Sequence, residues 1–181
     1  MWEEVRNVQL VVGGGQNGCV CMQMDAVCRQ LDVLAVEMLE LMQEQLRVKA
    51  QLTDVMKNGF LNLAKARYIS GNTSISALQL PSEDHDLRAQ TTVVREGGLL
   101  QLVTPESQQM AYGEGEEFEK STDPLQWFGV LVPRNLRQAQ SNFHSALEWA
   151  VDGANVQLRL QHCHNRYLLL LKVKQELASS Q

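Results

Sequence analysis

The stretch VCRQLDVLAVEMLELMQEQLRVKAQLTDV, residues 27–55, decides the fold that the sequence predicts. Apolar residues recur in it at alternating spacings of four and three, the heptad period of a helix that packs along one seam. One member, Gln45, is polar, and a single buried polar side chain can fix the register of two helices at some cost in stability. The predicted seam is Val27, Leu31, Leu34, Met38, Leu41, Gln45, Val48, Leu52 and Val55.

Apolar residues beside this seam make the predicted helix wider than a two-stranded pairing requires. The width is typical either of an ordinary bundle helix or of a helix that also presents a protein-binding face, and both interpretations stay open. The flanking residues are Ala35, Val36, Leu39, Met42 and Leu46.

The first helix is predicted over residues 24–70, and its C-terminal part departs from the strict spacing. The seam is expected to fail at Gly59 and then to shift, as if four residues had been inserted, which locally unwinds a supercoil. Gly71 followed by Asn72 predicts the end of the helix. The expected continuation of the seam is Leu52, Met56, Phe60 and Leu63.

A second helix is predicted to begin after Val132-Pro133, because proline is favoured at the first turn of a helix. After Gly153 the apolar pattern is less regular, and the leucines at 168–171 point around almost a full turn. That segment therefore needs cover from elsewhere in the chain or from a partner. The predicted face is Leu136, Phe143, Leu147, Ala150 and Ala154, with Ala139, Ala146 and Val151 beside it, and then Leu158, Leu168, Val173 and Leu177.

Two helices of matched length joined by a long connector predict a mainly α fold, an antiparallel coiled-coil hairpin. Within the connector, residues 91–95 and 99–103 flank Glu96-Gly97-Gly98, which predicts a short β-hairpin. The acidic stretch 106–119 predicts a disordered loop. The expected segments are a flexible leader at 1–23, helix 1 at 24–70, the connector at 71–122, and a Trp-Phe-Gly segment with helix 2 at 123–178.

The net charge argues against nucleic-acid binding, and the hydropathy argues against a membrane-spanning segment. The 181-residue chain has a formal net charge of −5, whereas nucleic-acid-binding proteins usually carry an excess of Lys and Arg. Its longest apolar run, residues 168–171, is far short of the ~20 residues that cross a bilayer. Four cysteines and an acidic N-terminus, with Glu3 and Glu4, predict a reducing compartment and no secretory signal.

The motifs that could carry chemistry are weak. Residues 13–18 are glycine-rich but lack the Gly-Lys-Ser/Thr of a phosphate loop. His162-Cys163-His164 cannot converge on one metal ion from a helix, because adjacent helical residues point to different faces. The sequence therefore predicts no enzyme, no cofactor, no metal site and no small-molecule substrate. A weaker alternative is a metal-binding or redox protein that uses Cys19, Cys21 and Cys28.

Two segments stand out, residues 60–68 at the end of the first helix and residues 123–133 at the start of the second. In a hairpin of equal helices they lie at the same end. Trp127 and Phe128 could fold over Phe60 and Tyr68 as an aromatic cap, or they could anchor a partner within a basic rim. The candidate partner-binding residues are Phe60, Leu63, Lys65, Arg67, Tyr68, Trp127, Phe128, Arg134 and Arg137.

These same segments resemble a known family. Leu63-Ala64-Lys65-Ala66-Arg67-Tyr68, Asp123-Pro124-Leu125 with Trp127-Phe128-Gly129, Leu131-Val132-Pro133 and Leu136-Arg137-Gln138-Ala139-Gln140 are its marks. The chain resembles the vacuolar-ATPase assembly factors of the endoplasmic reticulum, whose animal member is coiled-coil domain-containing protein 115. The resemblance extends from about residue 24 to residue 175 and is weakest in the middle loop.

The resemblance implies a non-enzymatic chaperone on the cytosolic face of the endoplasmic reticulum and in the ER–Golgi intermediate compartment. Such a chaperone binds a membrane-anchored assembly partner and subunits of the membrane sector of the vacuolar ATPase. The family further implies endosomes, lysosomes and coat-protein-I vesicles as locations, and roles in lysosomal acidification and iron homeostasis. A tether or trafficking adaptor unrelated to the proton pump is the alternative.

Overall fold

The computed structural model describes residues 20–71, 74–81, 89–104 and 123–179. Helix α1 spans Val20–Ser70 and helix α2 spans Arg134–Ser179, so α1 begins four residues before the predicted start at residue 24. The rest of the predicted leader and the acidic stretch 106–119 lie outside the described residues. Neither long helix has an apolar stretch that could cross a membrane within the described ranges. The predicted mainly α fold class, with two long helices packed against each other, is confirmed.

The chain divides into two compact units. One contains α1 up to Gln43 and α2 from Arg159 onward, and the other comprises Glu44–Leu158. In the first unit, the Cys163 thiol of α2 donates a hydrogen bond to the main-chain oxygen of Leu34 in α1 at 3.7 Å. The two helices of this first unit therefore pack directly on each other.

In the unit Glu44–Leu158, the helices run antiparallel. Val48 lies against Gly153, and the Phe143 ring lies against Gly59, so positions advance along α1 as they retreat along α2. This geometry is the one that a connector returning the chain requires.

The predicted seam of α1 is confirmed, because all nine of its members are buried or half-buried. Burying a leucine or valine side chain contributes roughly 1.5–3 kcal/mol, so this row is a major source of stability. Gln45 is half-buried, and its side-chain oxygen has no hydrogen-bond partner among the residues that the structure describes. The fully buried members are Val27, Leu31, Leu34, Leu41 and Val48.

The prediction that the seam shifts after Val55 is wrong. The spacing of four and three continues through Gly59 and Ala66, both buried, with Asn62 half-buried between them, while Phe60 is exposed. The seam keeps its register because the Phe143 ring of α2 fills the space over Gly59. The side chains of this part of the seam are small, which is why the apolar pattern seemed to break.

The predicted face of α2 is also wrong in its rotation. Leu147 and Ala150, placed on that face, are exposed, whereas Ala139 and Ala146, placed beside it, are buried. The true seam keeps a regular spacing throughout. Before Gly153 it contains Ala139, Asn142 and Ala146, whose small or polar side chains give little hydropathy signal, whereas beyond Gly153 it includes Val156 and Leu170. Its members, buried or half-buried, are Ala139, Asn142, Ala146, Trp149, Gly153, Val156, Leu160, Cys163, Tyr167, Leu170, Lys174 and Leu177.

The predicted β-hairpin in the connector is confirmed, with its first strand one residue later than expected. Strand β1 (Thr92–Glu96) pairs antiparallel with β2 (Leu99–Val103). The two-residue turn between them needs a left-handed backbone, which Gly97 and Gly98 supply with φ angles of +59° and +89°.

The β-hairpin is attached to α2 by one side chain. The Asn155 side-chain oxygen accepts a hydrogen bond from the main-chain nitrogen of Leu100 at 2.7 Å. The Asn155 side-chain nitrogen donates to the main-chain oxygen of Leu100 at 2.8 Å. Asn155 therefore satisfies the outer edge of β2 as a neighbouring strand would.

Candidate partner-binding surface at the connector

A small apolar cluster joins the end of α1, the connector and the start of α2. Its buried members are Ala66, Ile75 and Leu136, one from each of these three parts of the chain. Helix α1 ends beside the cluster at Gly71, whose φ of +81° is the left-handed conformation that terminates helices. The half-buried residues packed on it are Leu63, Leu125, Phe128 and Val132.

A 3-10 helix, Pro124–Phe128, carries the Trp-Phe pair to this cluster. The Asp123 carboxylate accepts hydrogen bonds from the main-chain nitrogen of Leu125 at 3.0 Å and from the side-chain nitrogen of Gln140 at 2.9 Å. The first bond caps the 3-10 helix, and the second ties it to α2. Gly129 then ends the segment with a φ of +103°, a conformation that glycine adopts without strain.

The structure separates the four aromatic residues that the sequence groups in one cap. Phe128 packs on the cluster together with Leu63, and Trp127 is half-buried beside it in sequence. Phe60 instead makes an edge-to-face contact with Phe143 of α2, with ring centroids 5.3 Å apart. Tyr68 is 90% exposed and adds nothing to a cap.

The predicted basic rim lies at the surface because its members neighbour buried residues. Lys65 and Arg67 flank the buried Ala66, so helical geometry turns both of them outward. Arg134 and Arg137, on the first turn of α2 beside the buried Leu136, are exposed as well. All four cations therefore lie at the surface within two residues of a buried member of the cluster.

Sequence reasoning missed several of the most exposed apolar residues at this end of the chain. Val130 and Leu131, between Gly129 and the start of α2, are 97% and 94% exposed. Leu61 and Ile69 line a shallow apolar groove together with Tyr68. The only signal for Leu61, Val130 and Leu131 was their position inside the two unusual segments, and Ile69 lies one residue beyond the first of these. We name Leu61, Tyr68, Ile69, Val130 and Leu131 the connector-end surface.

A second exposed apolar row runs along α1 in the unit that contains residues up to Gln43. Of the flanking positions that the sequence predicted there, Val36, Leu39 and Met42 are exposed, Ala35 is half-buried, and Val33 is a further exposed position. We name this row, Val33, Val36, Leu39 and Met42, the outer stripe.

The cysteine and the two histidines of the His-Cys-His motif differ in burial. Cys163 is buried in the seam, whereas His162 and His164 point to the exposed side of α2. Burial, reinforced by the nearby Glu37 carboxylate, raises the pKa of the Cys163 thiol. Within the described ranges no three His, Cys, Asp or Glu side chains lie close enough to hold a metal ion. Cys19 and the side chain of Cys21 lie outside the described residues.

Comparisons with known proteins agree on one family. A sequence model described as Vma22/CCDC115 matches residues 79–146, which include the β-hairpin and the Trp-Phe segment. The chain is 35% identical to a Homo sapiens protein named vacuolar ATPase assembly protein VMA22, over 72% of this chain and 83% of that protein. A Mus musculus protein of the same name is 30% identical, over 86% of this chain and 97% of that protein. A Danio rerio protein of that name is 29% identical, over 80% and 88%.

Proposed function

The chain belongs to the Vma22/CCDC115 family, and from that membership we propose that it is a non-catalytic assembly factor for a vacuolar-type ATPase. The observation that carries this proposal is the similarity to proteins named for vacuolar ATPase assembly across most of both chains. An assembly name describes binding rather than a reaction, which is in keeping with a fold dominated by paired helices.

The finer proposal concerns what the chain binds. We propose that it holds subunits of the immature membrane sector of the ATPase together with a membrane-anchored partner. An assembly factor must bind its clients through surface that its own fold leaves uncovered. The outer stripe and the connector-end surface supply such apolar surface on α1 and on the connector, which supports the proposal.

The mechanism we propose is transient cover. The chain and its anchored partner would occupy a surface of the immature membrane sector that the peripheral ATPase sector later needs. Release would then follow completion of the membrane sector. By this route the chain would support acidification of lysosomes and endosomes without taking part in proton transport itself.

The proposed location is the cytosolic face of the endoplasmic reticulum and the ER–Golgi intermediate compartment, where a membrane sector would be assembled. Endosomes, lysosomes and coat-protein-I vesicles are further proposed locations, and iron homeostasis is a proposed downstream process. All of these follow from the family resemblance.

The test is affinity isolation of the tagged chain from gently solubilised endoplasmic reticulum, followed by mass spectrometry. We expect subunits of the membrane sector and a small membrane protein to be recovered with the folded chain. The Leu34→Pro/Leu41→Pro variant is the unfolded control, because proline inside a helix removes a hydrogen bond and clashes with the preceding turn. Recovery of vesicle-coat or tethering proteins alone, with normal organelle pH after loss of the chain, would establish the tether interpretation instead.

A pair of variants assigns the role of the Trp-Phe segment within this experiment. Phe128 packs on the buried cluster, so Phe128→Ala is expected to lower the melting temperature. Trp127→Ala is expected to reduce recovery of the partner with little change in melting, because a half-buried tryptophan is a typical interface anchor. If Trp127→Ala melts as early as Phe128→Ala, the tryptophan is part of the cap.

A further inference from the structure

We propose that the connector-end surface docks directly onto a lipid bilayer that carries anionic headgroups. This contact would be made with the lipid itself, in addition to any contact with proteins of an assembling ATPase. It would be interfacial, since no helix in the described part of the chain could span a membrane.

The first observation is the protrusion of aliphatic side chains from the fold. Val130 and Leu131 follow the turn at Gly129 and are almost completely exposed, so they gain nothing from burial in the folded chain. Tyr68 is nearly as exposed at the last turn of α1. A tyrosine ring has an apolar body and a polar tip, and such rings favour the boundary between lipid and water.

The second observation is that the start of α2 brings these side chains to one end of the unit. Asn135 lines the groove formed by Leu61, Tyr68 and Ile69. Arg137, two residues later and therefore on a different face of α2, lines a second groove together with Val130. One helical turn of α2 therefore adjoins both halves of the connector-end surface.

The third observation is the charge around this surface. The described residues 55–71 and 123–147 contain five Lys or Arg side chains and one carboxylate. That carboxylate, Asp123, lines the groove of Val130 and Arg137 and accepts hydrogen bonds from Leu125 and Gln140. One of the five, Lys57, is paired with Asp54 at 3.8 Å. The other four, Lys65, Arg67, Arg134 and Arg137, make no ion pair with a carboxylate of the described residues. Each such cation near an anionic membrane strengthens binding about fivefold.

The combination favours lipid over a protein partner as the occupant. A protein interface needs a partner surface of complementary shape, and leucine and valine are under-represented among the residues that carry its binding energy. Here the aliphatic side chains are exposed, Lys65 lines the groove of Leu61, Tyr68 and Ile69, and Arg137 lines the groove of Val130. Lys and Arg can extend their alkyl stems along apolar material while the charges reach phosphate headgroups. Segments that bind at the membrane interface typically combine exposed apolar residues with neighbouring Lys and Arg side chains.

The test uses the purified chain and vesicles that contain no protein. Flotation is compared between vesicles of phosphatidylcholine alone and vesicles in which about a third of the lipid is phosphatidylserine, at low and at raised salt. We expect binding to the anionic vesicles, at least tenfold weaker binding to the neutral ones, and a loss of binding as salt rises.

Matched variants connect the binding to this surface. Val130→Ser/Leu131→Ser is expected to weaken binding to anionic vesicles by about tenfold or more. The variant loses two aliphatic side chains that would become buried at the lipid boundary when the chain binds. Val33→Ser/Leu39→Ser removes two exposed aliphatic residues of the outer stripe and is expected to bind as the unmodified chain does. The melting temperature of each variant shows that it is folded.

The charge pair is tested in the same way. Arg134→Gln/Arg137→Gln is expected to weaken binding by about tenfold or more, whereas Arg159→Gln/Arg166→Gln, exposed elsewhere on α2, is expected to leave it unchanged.

Two results would overturn the proposal. One is failure of the unmodified chain to bind anionic vesicles, and the other is equal binding by the Val130→Ser/Leu131→Ser variant. If the unmodified chain ignores vesicles but this variant loses membrane-sector proteins in affinity isolation, the surface belongs to a protein. The vesicles carry no ATPase subunit, so the two experiments are independent. A failure to bind vesicles would not contradict the assembly role, and a failure to recover ATPase subunits would not contradict lipid binding.

Discussion

The paired helices and the connector are stabilised by different kinds of contact. Along α1 and α2, many apolar side chains are buried in a regular row, each contributing a modest part of the total. In the connector, few of the described residues are buried, and specific hydrogen bonds hold the described segments in place. The Asp123 carboxylate accepts two of these bonds, and Asn155 of α2 makes two with Leu100. We therefore expect substitutions in the helices to change global stability, and substitutions in the connector to change local order or binding.

The largest effect is expected from truncation of the seam. Leu34→Ala removes a buried side chain from α1 and should lower the free energy of unfolding by about 2–5 kcal/mol. Leu39→Ala makes the same chemical change on the same helix at a residue that is 66% exposed, and it should stay within about 0.5 kcal/mol. Urea unfolding followed by circular dichroism measures both. Equal losses would show that the outer stripe is as well packed as the seam.

A smaller loss is expected at Gly59 of α1, where the Phe143 ring of α2 lies against the backbone. A Cβ atom at Gly59 would lie 2.9 Å from the Phe143 ring, so Gly59→Ala forces the ring to move. Overpacking should outweigh the helix propensity that alanine adds, for a net loss of about 1–2 kcal/mol in the free energy of unfolding.

Gly153→Ala is the matched control for this helix contact. Its new Cβ would lie 3.3 Å from a Val48 methyl group, which needs a shift of only a few tenths of an ångström. We expect its thermal midpoint to stay near that of the unmodified chain. A midpoint for Gly59→Ala that matches or exceeds the unmodified value would mean that Phe143 does not hold this register.

The next effect is local and lies in the connector. Asn155→Ala removes both hydrogen bonds to Leu100, and each such bond contributes about 1 kcal/mol. We expect hydrogen exchange at the Leu100 amide to accelerate by about tenfold, while global unfolding changes much less than in Leu34→Ala. Asn165→Ala, exposed on the same helix, is the control. Unchanged exchange at Leu100 would show that other contacts hold the β-hairpin.

The smallest effect concerns the buried thiol of the seam. Because the pKa of Cys163 is raised in the folded chain, the folded state keeps its proton to a higher pH than the unfolded state does. Stability should therefore fall as the pH rises from the ordinary cysteine range towards the raised value. At neutral pH, peptide-resolved alkylation should modify the half-buried Cys28 well before Cys163. Equal rates would show that this part of the seam opens readily.

Much of the fold could be predicted from local patterns. The heptad spacing of residues 27–55 identified the buried face of α1, because an apolar row on a helix has to be buried, whichever surface packs against it. Gly71 marked the end of α1 and Gly97-Gly98 marked the hairpin turn, since these backbone conformations depend on the residues themselves. The two unusual segments were predicted to lie at the same end of the helices, and the cluster of Ala66, Ile75 and Leu136 joins them.

The remaining features depend on residues that are distant along the chain. The seam continues through Gly59 because the Phe143 ring fills the space, and Gly153 of α2 leaves room for a Val48 methyl group of α1. Small residues carry almost no hydropathy signal, so periodicity placed the face of α2 at the wrong rotation. Likewise, no local pattern pairs Asn155 with Leu100, which is 55 residues away. Periodicity shows that a face must be buried, whereas only packing in three dimensions selects the side chains that meet there and those, such as Val130 and Leu131, that remain exposed.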